Sequence, residues 1–263
     1  MIRICISGAL GRMGQTVARL VLQEKDLKIV FALEHPNHKN LHKDYGILLQ
    51  GDPLGVLVES NLEKALNEID VIIDFSSPEN TLNLLKASLK NPKPIVIGTT
   101  GFTENENQEI YSLSSKIPIL QSPNMSLGVN ILFYLIEKAS LLLKDHFEVE
   151  ITEVHHSKKK DSPSGTAMQL KKIIQDIYKI QDVVYGREGL VGERPKNQLG
   201  IHSLRGGDVV GEHTVHFFSL GERIEISHKA TSREIFGKGA ILAAKWLYSK
   251  PAGYYTMKDV IGI

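Results

Sequence analysis

The residues best suited to chemistry lie at positions 153 to 167, in the segment Glu-Val-His-His-Ser-Lys-Lys-Lys-Asp-Ser-Pro-Ser-Gly-Thr-Ala. A histidine can deliver a proton near neutral pH, and a lysine can pair with a carboxylate or a phosphate. Ser162, Ser164 and Thr166 are candidate caps for a helix that follows, and Pro163 would suit its first turn. The first N–H groups of that helix would favour an anion. The segment therefore predicts a site for an anionic molecule beside a proton donor.

Structural interpretations of the same segment remain open at this point. Lys158 to Lys160 could form a solvated surface, and Ser-Pro-Ser-Gly could do no more than cap a helix. A metal site is not predicted, because His155 and His156 would point to opposite faces of a strand. No cysteine or further histidine follows at ligand spacing.

A strand and a helix are predicted to position this segment. The alternating run from Phe147 to Val154 is typical of a strand, and apolar residues recur at helical spacing from Met168 to Tyr178. The chemistry-bearing residues would thus lie in a strand-to-helix loop, where Gly165 lets the backbone approach a ligand closely.

A second candidate site follows the first predicted strand. The apolar run from Ile2 to Ile6 leads into Gly8-Ala-Leu-Gly11-Arg-Met-Gly14, and helical periodicity follows from Thr16 to Leu22. In this context the first glycine would make a tight turn, the second would admit a pyrophosphate, and the third would let the helix pack on the sheet. A tight turn without a ligand is the alternative.

An acidic residue stands where a dinucleotide site needs one. A strand predicted from Lys28 to Leu33 ends at Glu34, about twenty positions after the last glycine of the turn. Its carboxylate could accept hydrogen bonds from an adenosine ribose. It would repel a 2′-phosphate unless Arg12, His35 or Lys39 compensated, so charge alone does not separate NADH from NADPH.

Alternating strands and helices continue to residue 126 and predict a Rossmann-type, doubly wound parallel sheet. Strands are expected at Val71 to Phe75, Ile95 to Ile97 and Ile117 to Leu120. Two small-residue turns, Gly98-Thr-Thr-Gly101 and Ser122-Pro-Asn-Met-Ser126, follow strands at the edge where parallel sheets bind ligands. Residues 36 to 61 show little periodicity and are predicted to be a loop with at most one short element.

From residue 127 the pattern changes to a second, α+β domain. An apolar helix from Ile131 to Leu143 precedes alternating runs that predict a mostly antiparallel sheet: Phe147 to Val154, Gly200 to Leu204, Glu212 to Phe218 and Arg223 to Lys229. A sheet with one face uncovered should pair with another, so oligomers are expected. A helix from Ile235 to Leu247 is predicted to return to the first domain. The prediction is a dinucleotide-binding domain of residues 1–126 and 234–263, and a substrate-binding and oligomerisation domain of residues 127–233.

Composition narrows the class of protein. Lys and Arg number 31 and Asp and Glu 30, so the formal charge of +1 gives no reason to expect nucleic acid or an acidic membrane surface as a partner. Cys5 has no partner for a disulfide within the chain, which fits a reducing cytoplasm. No signal peptide and no membrane-spanning run is predicted.

The sequence resembles the dihydrodipicolinate reductase family, more fully 4-hydroxy-tetrahydrodipicolinate reductase, of lysine and diaminopimelate biosynthesis. The segments that carry the resemblance cover most of the chain: Gly8 to Gly14, Gly98 to Gly101, Ser122 to Asn130, Glu153 to Ala167, Arg205 to His213 and Ile226 to Arg233. The histidine pair with Ser-Gly-Thr is the specific part, because many dehydrogenases share the glycine turn. The resemblance implies hydride transfer from NADH or NADPH to a cyclic imine dicarboxylate, by a homotetramer joined through the second sheet.

The resemblance also implies residue roles. His155 is similar to the proton donor, Lys159 to the cation that faces the substrate, and His156 to a substrate-binding neighbour. Gly165 and Thr166 resemble the pair that holds one carboxylate. The implied cofactor-binding residues are Gly8, Ala9, Leu10, Gly11, Arg12, Met13, Gly14, Glu34 and His35, with Gly98, Thr99, Thr100, Ser122, Pro123, Asn124 and Met125 on the nicotinamide side.

One departure concerns the cofactor. The family often follows the ribose-binding acid with an arginine that contacts the 2′-phosphate of NADPH, whereas His35 follows Glu34 here. A neutral histidine would hold a phosphate less firmly, so a strong preference for NADPH is not expected.

Two other classes of protein are weighed against the reductase. Another nicotinamide-dependent dehydrogenase of a small carboxylate could share the fold, but the aldehyde class needs a reactive cysteine in the second domain, and there is none. A non-enzymatic dinucleotide-sensing regulator would want a helix-turn-helix or a basic face, and neither is recognisable. His155 and Lys159 would have no task in it.

Overall fold

The computed structural model describes residues 1–263, which form twelve strands and eight α-helices. The strands are β1 Ile2–Ser7, β2 Leu27–Leu33, β3 Val58–Glu59, β4 Val71–Asp74, β5 Ile95–Ile97, β6 Pro118–Gln121, β7 Glu148–His155, β8 Asp182–Val184, β9 Gln198–Arg205, β10 Gly211–Ser219, β11 Glu222–Ala230 and β12 Gly253–Tyr255. The helices are α1 Arg12–Val21, α2 Tyr45–Gln50, α3 Pro78–Ser88, α4 Glu104–Leu113, α5 Leu127–Leu143, α6 Gly165–Tyr178, α7 Glu234–Leu247 and α8 Met257–Ile261. The chain divides into two compact units: unit 1 is residues 1–127 with 234–263, and unit 2 is residues 128–233.

Unit 1 is built on a seven-stranded sheet in the order β12-β6-β5-β4-β1-β2-β3. All of its strand pairs are parallel. Without β12 this is the strand order of dinucleotide-binding folds, in which the direction of winding reverses between β1 and β4. The turns that leave β1 and β4 therefore meet at the point where such sheets bind ligands. The predicted doubly wound sheet is confirmed.

Helices cover both faces of this sheet. Val17 and Ala18 of α1 and Ala240 and Ala244 of α7 are fully buried on one face. Buried residues of α3 and α4 pack on the other: Leu84, Leu85 and Ile110. Small residues let α7 lie close to α1, since a Cβ on Gly237 would be 2.6 Å from Cδ1 of Leu20.

Residues 36 to 61, expected to be a loop, contain α2 and the two-residue strand β3. The Asp44 side chain caps α2 by accepting a hydrogen bond from the Ile47 N–H at 3.1 Å. Tyr45 is fully buried, and its hydroxyl donates to the carbonyl oxygen of Ala9 at 2.7 Å. This short helix therefore fastens the glycine turn that follows β1.

Unit 2 is built on a five-stranded sheet in the order β11-β10-β7-β9-β8. β10 is antiparallel to both of its neighbours, whereas β7, β9 and β8 run parallel to one another. The sheet is therefore mixed, and the expected antiparallel arrangement describes only the half around β10. The α6 crossover explains the difference, because a strand-helix-strand connection returns the chain in the same direction.

The sheet face that α5 and α6 cover is apolar at one end and carries titratable side chains at the other. Leu132 and Ile136 of α5 and two residues of α6 pack on Ile151 and its neighbours to form the core of unit 2. The next inward-facing positions of β7 are Glu153 and His155, both buried. The core of unit 2 thus ends in titratable side chains beside the loop that precedes α6.

None of the helices combines the length and the apolar character needed to cross a membrane.

Candidate active site

The glycine turn of unit 1 has no room for side chains. Gly8 has φ +69°, and a Cβ there would lie 2.3 Å from the carbonyl oxygen of Phe75. A Cβ on Gly14 would lie 2.1 Å from the carbonyl oxygen of Gly8. Gly11 precedes the first residue of α1 and offers no side-chain cap, so the first N–H groups of that helix remain available to an anion.

A cavity of about 310 Å³ lies beside this turn. It is lined by Gly8, Gly11, Glu34, His35, Phe75, Ser76, Ser77 and Asn80. One carboxylate oxygen of Glu34 accepts from the Leu10 N–H at 2.8 Å, and the other accepts from the His35 N–H at 2.9 Å. A bare helix start and a fixed carboxylate fit the pyrophosphate and the ribose of a dinucleotide. Four of the predicted residues, at positions 8, 11, 34 and 35, thus share one cavity.

Phe75, Ser76, Ser77 and Asn80 line the cavity but were not predicted to do so. Ser77 caps α3 through a hydrogen bond from the Asn80 N–H at 3.3 Å. The sequence Ser76-Ser-Pro-Glu79 is typical of a helix start, but its place beside β1 follows only from the strand order. A turn after a parallel strand that neighbours β1 was the available signal.

The residues predicted to lie on the nicotinamide side have varied surroundings. Thr99 is buried and bonded within the protein, since its hydroxyl donates to Asp74 at 2.8 Å and accepts from the Ser76 N–H at 2.9 Å. A Cβ on Gly98 would lie 2.2 Å from the Phe75 ring. The hydroxyl of Ser122 donates to the carbonyl oxygen of Asn124 at 2.8 Å. Of the remaining predicted cofactor residues, some are buried and some half-buried or exposed: Ala9 and Met125 are buried, Leu10, Met13 and Asn124 are half-buried, and Arg12, Thr100 and Pro123 are exposed.

Asp74 organises the loops behind the cavity. It is fully buried and also accepts hydrogen bonds from the hydroxyls of Ser76 at 2.6 Å and Thr81 at 2.5 Å. Burial raises the pKa of Asp74, and these hydrogen bonds oppose the rise. The predicted Thr99 therefore contributes to the site by holding a loop rather than by offering a free hydroxyl.

In unit 2, His155 ends β7 with its ring buried and 8% of the residue exposed. Its Nδ1 is hydrogen-bonded to Oε2 of Glu153, two residues earlier on the same face. Its Nε2 faces Gly211, where a Cβ would come within 2.9 Å. Burial lowers the pKa of His155, while Glu153 acts in the opposite direction.

Glu153 is completely buried and accepts hydrogen bonds from several directions. Arg205 binds it through both terminal nitrogens, at 2.8 Å to Oε1 and 3.0 Å to Oε2, and the Ser164 N–H donates to Oε1 at 3.2 Å. Burial alone would raise the pKa of Glu153. The hydrogen bonds, with that of Arg205 the strongest, outweigh burial and hold the pKa at about 2.

His213 completes this cluster from β10. Its Nε2 is 2.9 Å from the Ser164 hydroxyl, and its ring lies edge-on to that of His155 with the centroids 5.1 Å apart. Burial lowers the pKa of His213 to about 3, so the ring is neutral in the folded protein. The strand pairing that puts His213 opposite Glu153 cannot be read from residue spacing.

Glu153, His155 and His213 bring three possible metal-ligand atoms within 4.8 Å of one another. Residue spacing does not predict a further histidine beside His155, and the pairing of β10 with β7 supplies His213. However, the guanidinium of Arg205 already binds both oxygens of Glu153 and places a positive charge where a cation would approach. The contacts are those of a hydrogen-bonded network around the His155 ring and not those of a cation site.

Lys159 differs from the lysines on either side of it. Its ammonium donates to both carboxylate oxygens of Asp161 at 2.8 Å, with 19% of the side chain exposed. Lys158 and Lys160 are exposed. The ammonium of Lys159, which was predicted to face the substrate, is therefore paired with Asp161.

The loop continues into α6, and Ser164 is the capping residue among the three candidates. Its hydroxyl accepts from the Ala167 N–H at 3.2 Å, so Gly165 and Thr166 form the first turn and Pro163 precedes the cap. On the other side of the loop, Arg233 donates to Nε2 of His156 at 3.1 Å. Arg233 and Arg205 are cations near the predicted site that were not assigned a role from the sequence.

Comparisons with known proteins agree along the whole chain. The family model described as dihydrodipicolinate reductase, N-terminus, matches residues 2–125, and that described as dihydrodipicolinate reductase, C-terminus, matches residues 128–261. A 4-hydroxy-tetrahydrodipicolinate reductase from Syntrophotalea carbinolica is 44% identical and covers 100% of both chains. One from Aquifex aeolicus is 47% identical over 100% of this chain and 99% of that protein. A solved structure of a dipicolinate-bound dihydrodipicolinate reductase from Paenisporosarcina sp. TG-14 has a TM-score of 0.80 and 24% identity, covers 99% of each chain, and supports the fold.

A parallel sheet with a glycine turn at its switch point and a fixed carboxylate beside that turn, in a chain that both family models match, defines an NAD(P)H-dependent oxidoreductase. The two family models together account for nearly every residue. The chain belongs to the dihydrodipicolinate reductase family.

Proposed function

We propose that this protein reduces the cyclic imine derived from 4-hydroxy-tetrahydrodipicolinate to tetrahydrodipicolinate in lysine and diaminopimelate biosynthesis, with His155 and Lys159 as its catalytic residues. The names of relatives that are 44% and 47% identical over the full length support the reaction. The observation that carries the residue assignment is the buried histidine whose Nδ1 is bonded to a carboxylate, leaving Nε2 as the nitrogen that can exchange a proton.

Unit 1 is the proposed dinucleotide-binding domain and unit 2 the proposed substrate-binding domain. When bound, NADH or NADPH supplies a hydride. Residues 8 to 14 would hold the pyrophosphate against the start of α1, and Glu34 would hold the adenosine ribose. Both contacts use groups that are already fixed in the folded chain.

In unit 2, Lys159 and the first turn of α6 would bind the carboxylates of the substrate. Hydride addition builds negative charge on a second atom of the conjugated imine, and His155 would deliver a proton there. Burial keeps the pKa of His155 low in the free protein. A dianionic substrate would bring negative charge beside the ring and favour its protonated form when the proton is needed.

The test is oxidation of NADH and NADPH, followed by absorbance, with freshly prepared 4-hydroxy-tetrahydrodipicolinate. His155→Gln should lower kcat by about 10²- to 10⁴-fold, since a positioned general acid contributes that much. Lys159→Ala should lower kcat and raise KM for the substrate. Lys158→Ala is the matched control, because that side chain is exposed on the same loop. Both active-site variants should retain the cofactor affinity of the wild type in a fluorescence titration. Turnover equal to that of the wild type in His155→Gln would refute the assignment.

The proposal includes a homotetramer joined through the sheet of unit 2, located in the cytoplasm. The sheet face opposite α5 and α6 supports it, because that face carries half-exposed side chains such as Thr214 and His216 and an exposed Leu204. The free Cys5 is buried, in keeping with a reducing compartment. The proposed small-molecule partner is a dicarboxylate, and neither nucleic acid nor membrane is proposed. Light scattering should give four times the mass of one chain, and a monomer at assay concentration would contradict the tetramer.

A further inference from the structure

The buried glutamate beside His155 has a position that the reaction itself does not explain. Glu153 does not reach solvent, and its donors are all groups of the protein: Arg205, the Ser164 N–H, the Ser203 side chain and His155. A fully buried charge is costly unless it is paired and hydrogen-bonded. This buried charge lies two residues before the proposed proton donor His155, on the same face of β7.

The ionised state of Glu153 fixes the form of the histidine. An ionised carboxylate can only accept hydrogen bonds, so Nδ1 of His155 must carry a hydrogen. The nitrogen that gains and loses the exchangeable proton is then Nε2. The bidentate contact from Arg205 keeps both oxygens of Glu153 in place, and the same guanidinium donates to the carbonyl oxygen of Asp161 at 2.9 Å.

The space around Nε2 agrees with this assignment. Gly211 stands opposite that nitrogen, and a Cβ there would be 2.9 Å away, which is closer than such contacts normally come. The Gly206 N–H donates to the carbonyl oxygen of His155 at 2.9 Å, which fixes the backbone at this end of β7. The ring is thus held at Nδ1 and at its backbone, and Gly211 places no side chain against Nε2.

We infer that Glu153 is a positioning residue: clamped by Arg205 and Ser164, it holds His155 in the Nδ1–H form and assigns proton delivery to Nε2. This inference rests on the proposed role of His155. In the reaction, the Nε2–H bond of the imidazolium breaks and its proton passes to the substrate atom that acquired negative charge on hydride addition. The neutral ring keeps its Nδ1–H on Glu153, and Nε2 takes its next proton from water. The two electrons come from the reduced nicotinamide.

Glu153→Gln is the test, and Glu150→Gln is its matched control. Glu150 lies on the same strand but on the opposite face, and arginine binds it as well, in this case Arg187 at 2.8 Å and Arg194 at 2.9 Å. It does not touch His155. Removing the charge at Glu153 should lower kcat by about 10- to 100-fold near neutral pH. In a plot of kcat against pH, the decrease on the alkaline side should begin at lower pH, because the imidazolium loses a stabilising negative charge. KM for the substrate should change by less than about threefold, and Glu150→Gln should leave the alkaline decrease in place.

A measurement on the wild-type protein removes dependence on the folding of a variant. The ¹⁵N shifts and ¹H couplings of the His155 ring should identify the Nδ1–H tautomer in the neutral state. An Nε2–H tautomer in the wild type would overturn the inference. So would a folded Glu153→Gln protein with an unmoved alkaline decrease in kcat while His155→Gln is inactive, and in that case the proposed function would stand. Full activity of His155→Gln would instead remove the proposed proton donor itself, and the role of Glu153 with it.

Discussion

The ion pair between Lys159 and Asp161 bears on the proposed role of Lys159. Its ammonium bonds both oxygens of Asp161, whose pKa this contact lowers, but 63% of the Asp161 side chain is exposed. Ion pairs with an exposed partner contribute about 0–1 kcal/mol. A substrate carboxylate could therefore replace Asp161 at little cost, and until then the aspartate keeps the lysine oriented.

His35 is the residue that should set the choice between NADH and NADPH. It lines the cavity beside Glu34, and its Nδ1 accepts from the Asn37 N–H at 3.2 Å, so the exposed ring is held in a local turn. His35→Arg would supply a permanent charge and a planar set of donors for a 2′-phosphate. We expect the ratio of kcat/KM for NADPH to that for NADH to rise by about tenfold, the equivalent of one charge-assisted hydrogen bond.

His38→Arg is the control for that change. His38 makes the same local contact, since its Nδ1 accepts from the Asn40 N–H at 3.2 Å, but it does not line the cavity. The control should leave the cofactor ratio as it is in the wild type. An equal rise in both variants would mean that general positive charge, rather than position 35, favours NADPH.

The short helix α2 supports the glycine turn without lining the cavity beside it. Tyr45, its first residue, donates a hydrogen bond to the carbonyl oxygen of Ala9 within the glycine turn. Tyr45→Phe leaves that buried carbonyl without its partner, which should destabilise unit 1 by about 1–2 kcal/mol and weaken NADH binding several-fold. Urea unfolding and a fluorescence titration would measure the two effects.

Tyr255→Phe provides the comparison for that variant. Its hydroxyl also donates to a backbone carbonyl, that of Pro251 at 3.1 Å, but this hydrogen bond is exposed to solvent, so water can replace it. Neither stability nor cofactor affinity should change by more than a few tenths of a kcal/mol. A Tyr45→Phe variant that resembles Tyr255→Phe in both measurements would show that α2 does not support the turn.

Elements with clear periodicity were predictable, and those held by single contacts were not. The apolar pattern located α1, α5 and α7, and the alternating pattern located β7 and β10. α2, β3 and β12 are too short to show a period, and their places depend on tertiary contacts such as the Tyr45 hydroxyl. The same limit applies to the site. His155 and Lys159 stand out in one segment, whereas Arg205 and His213 come from β9 and β10, and only the strand register puts them beside Glu153.

At the scale of the whole molecule, the two units should respond differently to acid. In unit 2, burial would raise the pKa of Glu150, but hydrogen bonds from Arg187, Arg194 and His202 outweigh it and hold the pKa at about 2, as Arg205 does for Glu153. Both groups stabilise the fold above the ordinary glutamate value of 4.5 and lose that contribution as pH falls towards 2. His213 adds to this loss of stability as the pH falls from 6.5 to about 3. In that range its side chain is protonated in the unfolded chain but stays neutral when it is buried in the fold.

In unit 1 the pKa of the buried acid Asp74 is shifted in the opposite direction from those of Glu150 and Glu153. Burial raises the pKa of Asp74, so acidification relieves a penalty there instead of removing a stabilising charge. Five other carboxylates of unit 1 have lowered pKa values, but none of them is buried, so solvent screens their contacts: Asp26, Asp44, Glu59, Asp70 and Glu106. Near pH 3, Glu150 and Glu153 should each have lost roughly 2 kcal/mol of their contribution to unit 2.

Trp246, the single tryptophan, lies in α7 and reports on unit 1, whereas far-ultraviolet circular dichroism reports on both units. In urea, lowering the pH from about 7 to about 3 should move the midpoint seen by circular dichroism further down than the midpoint seen by Trp246 fluorescence. Glu150→Gln should be less stable than the wild type near neutral pH and less sensitive to acid, because the titrating group is gone. Identical shifts of the two midpoints, with Glu150→Gln as acid-sensitive as the wild type, would show that the buried glutamates of unit 2 do not govern its stability in acid.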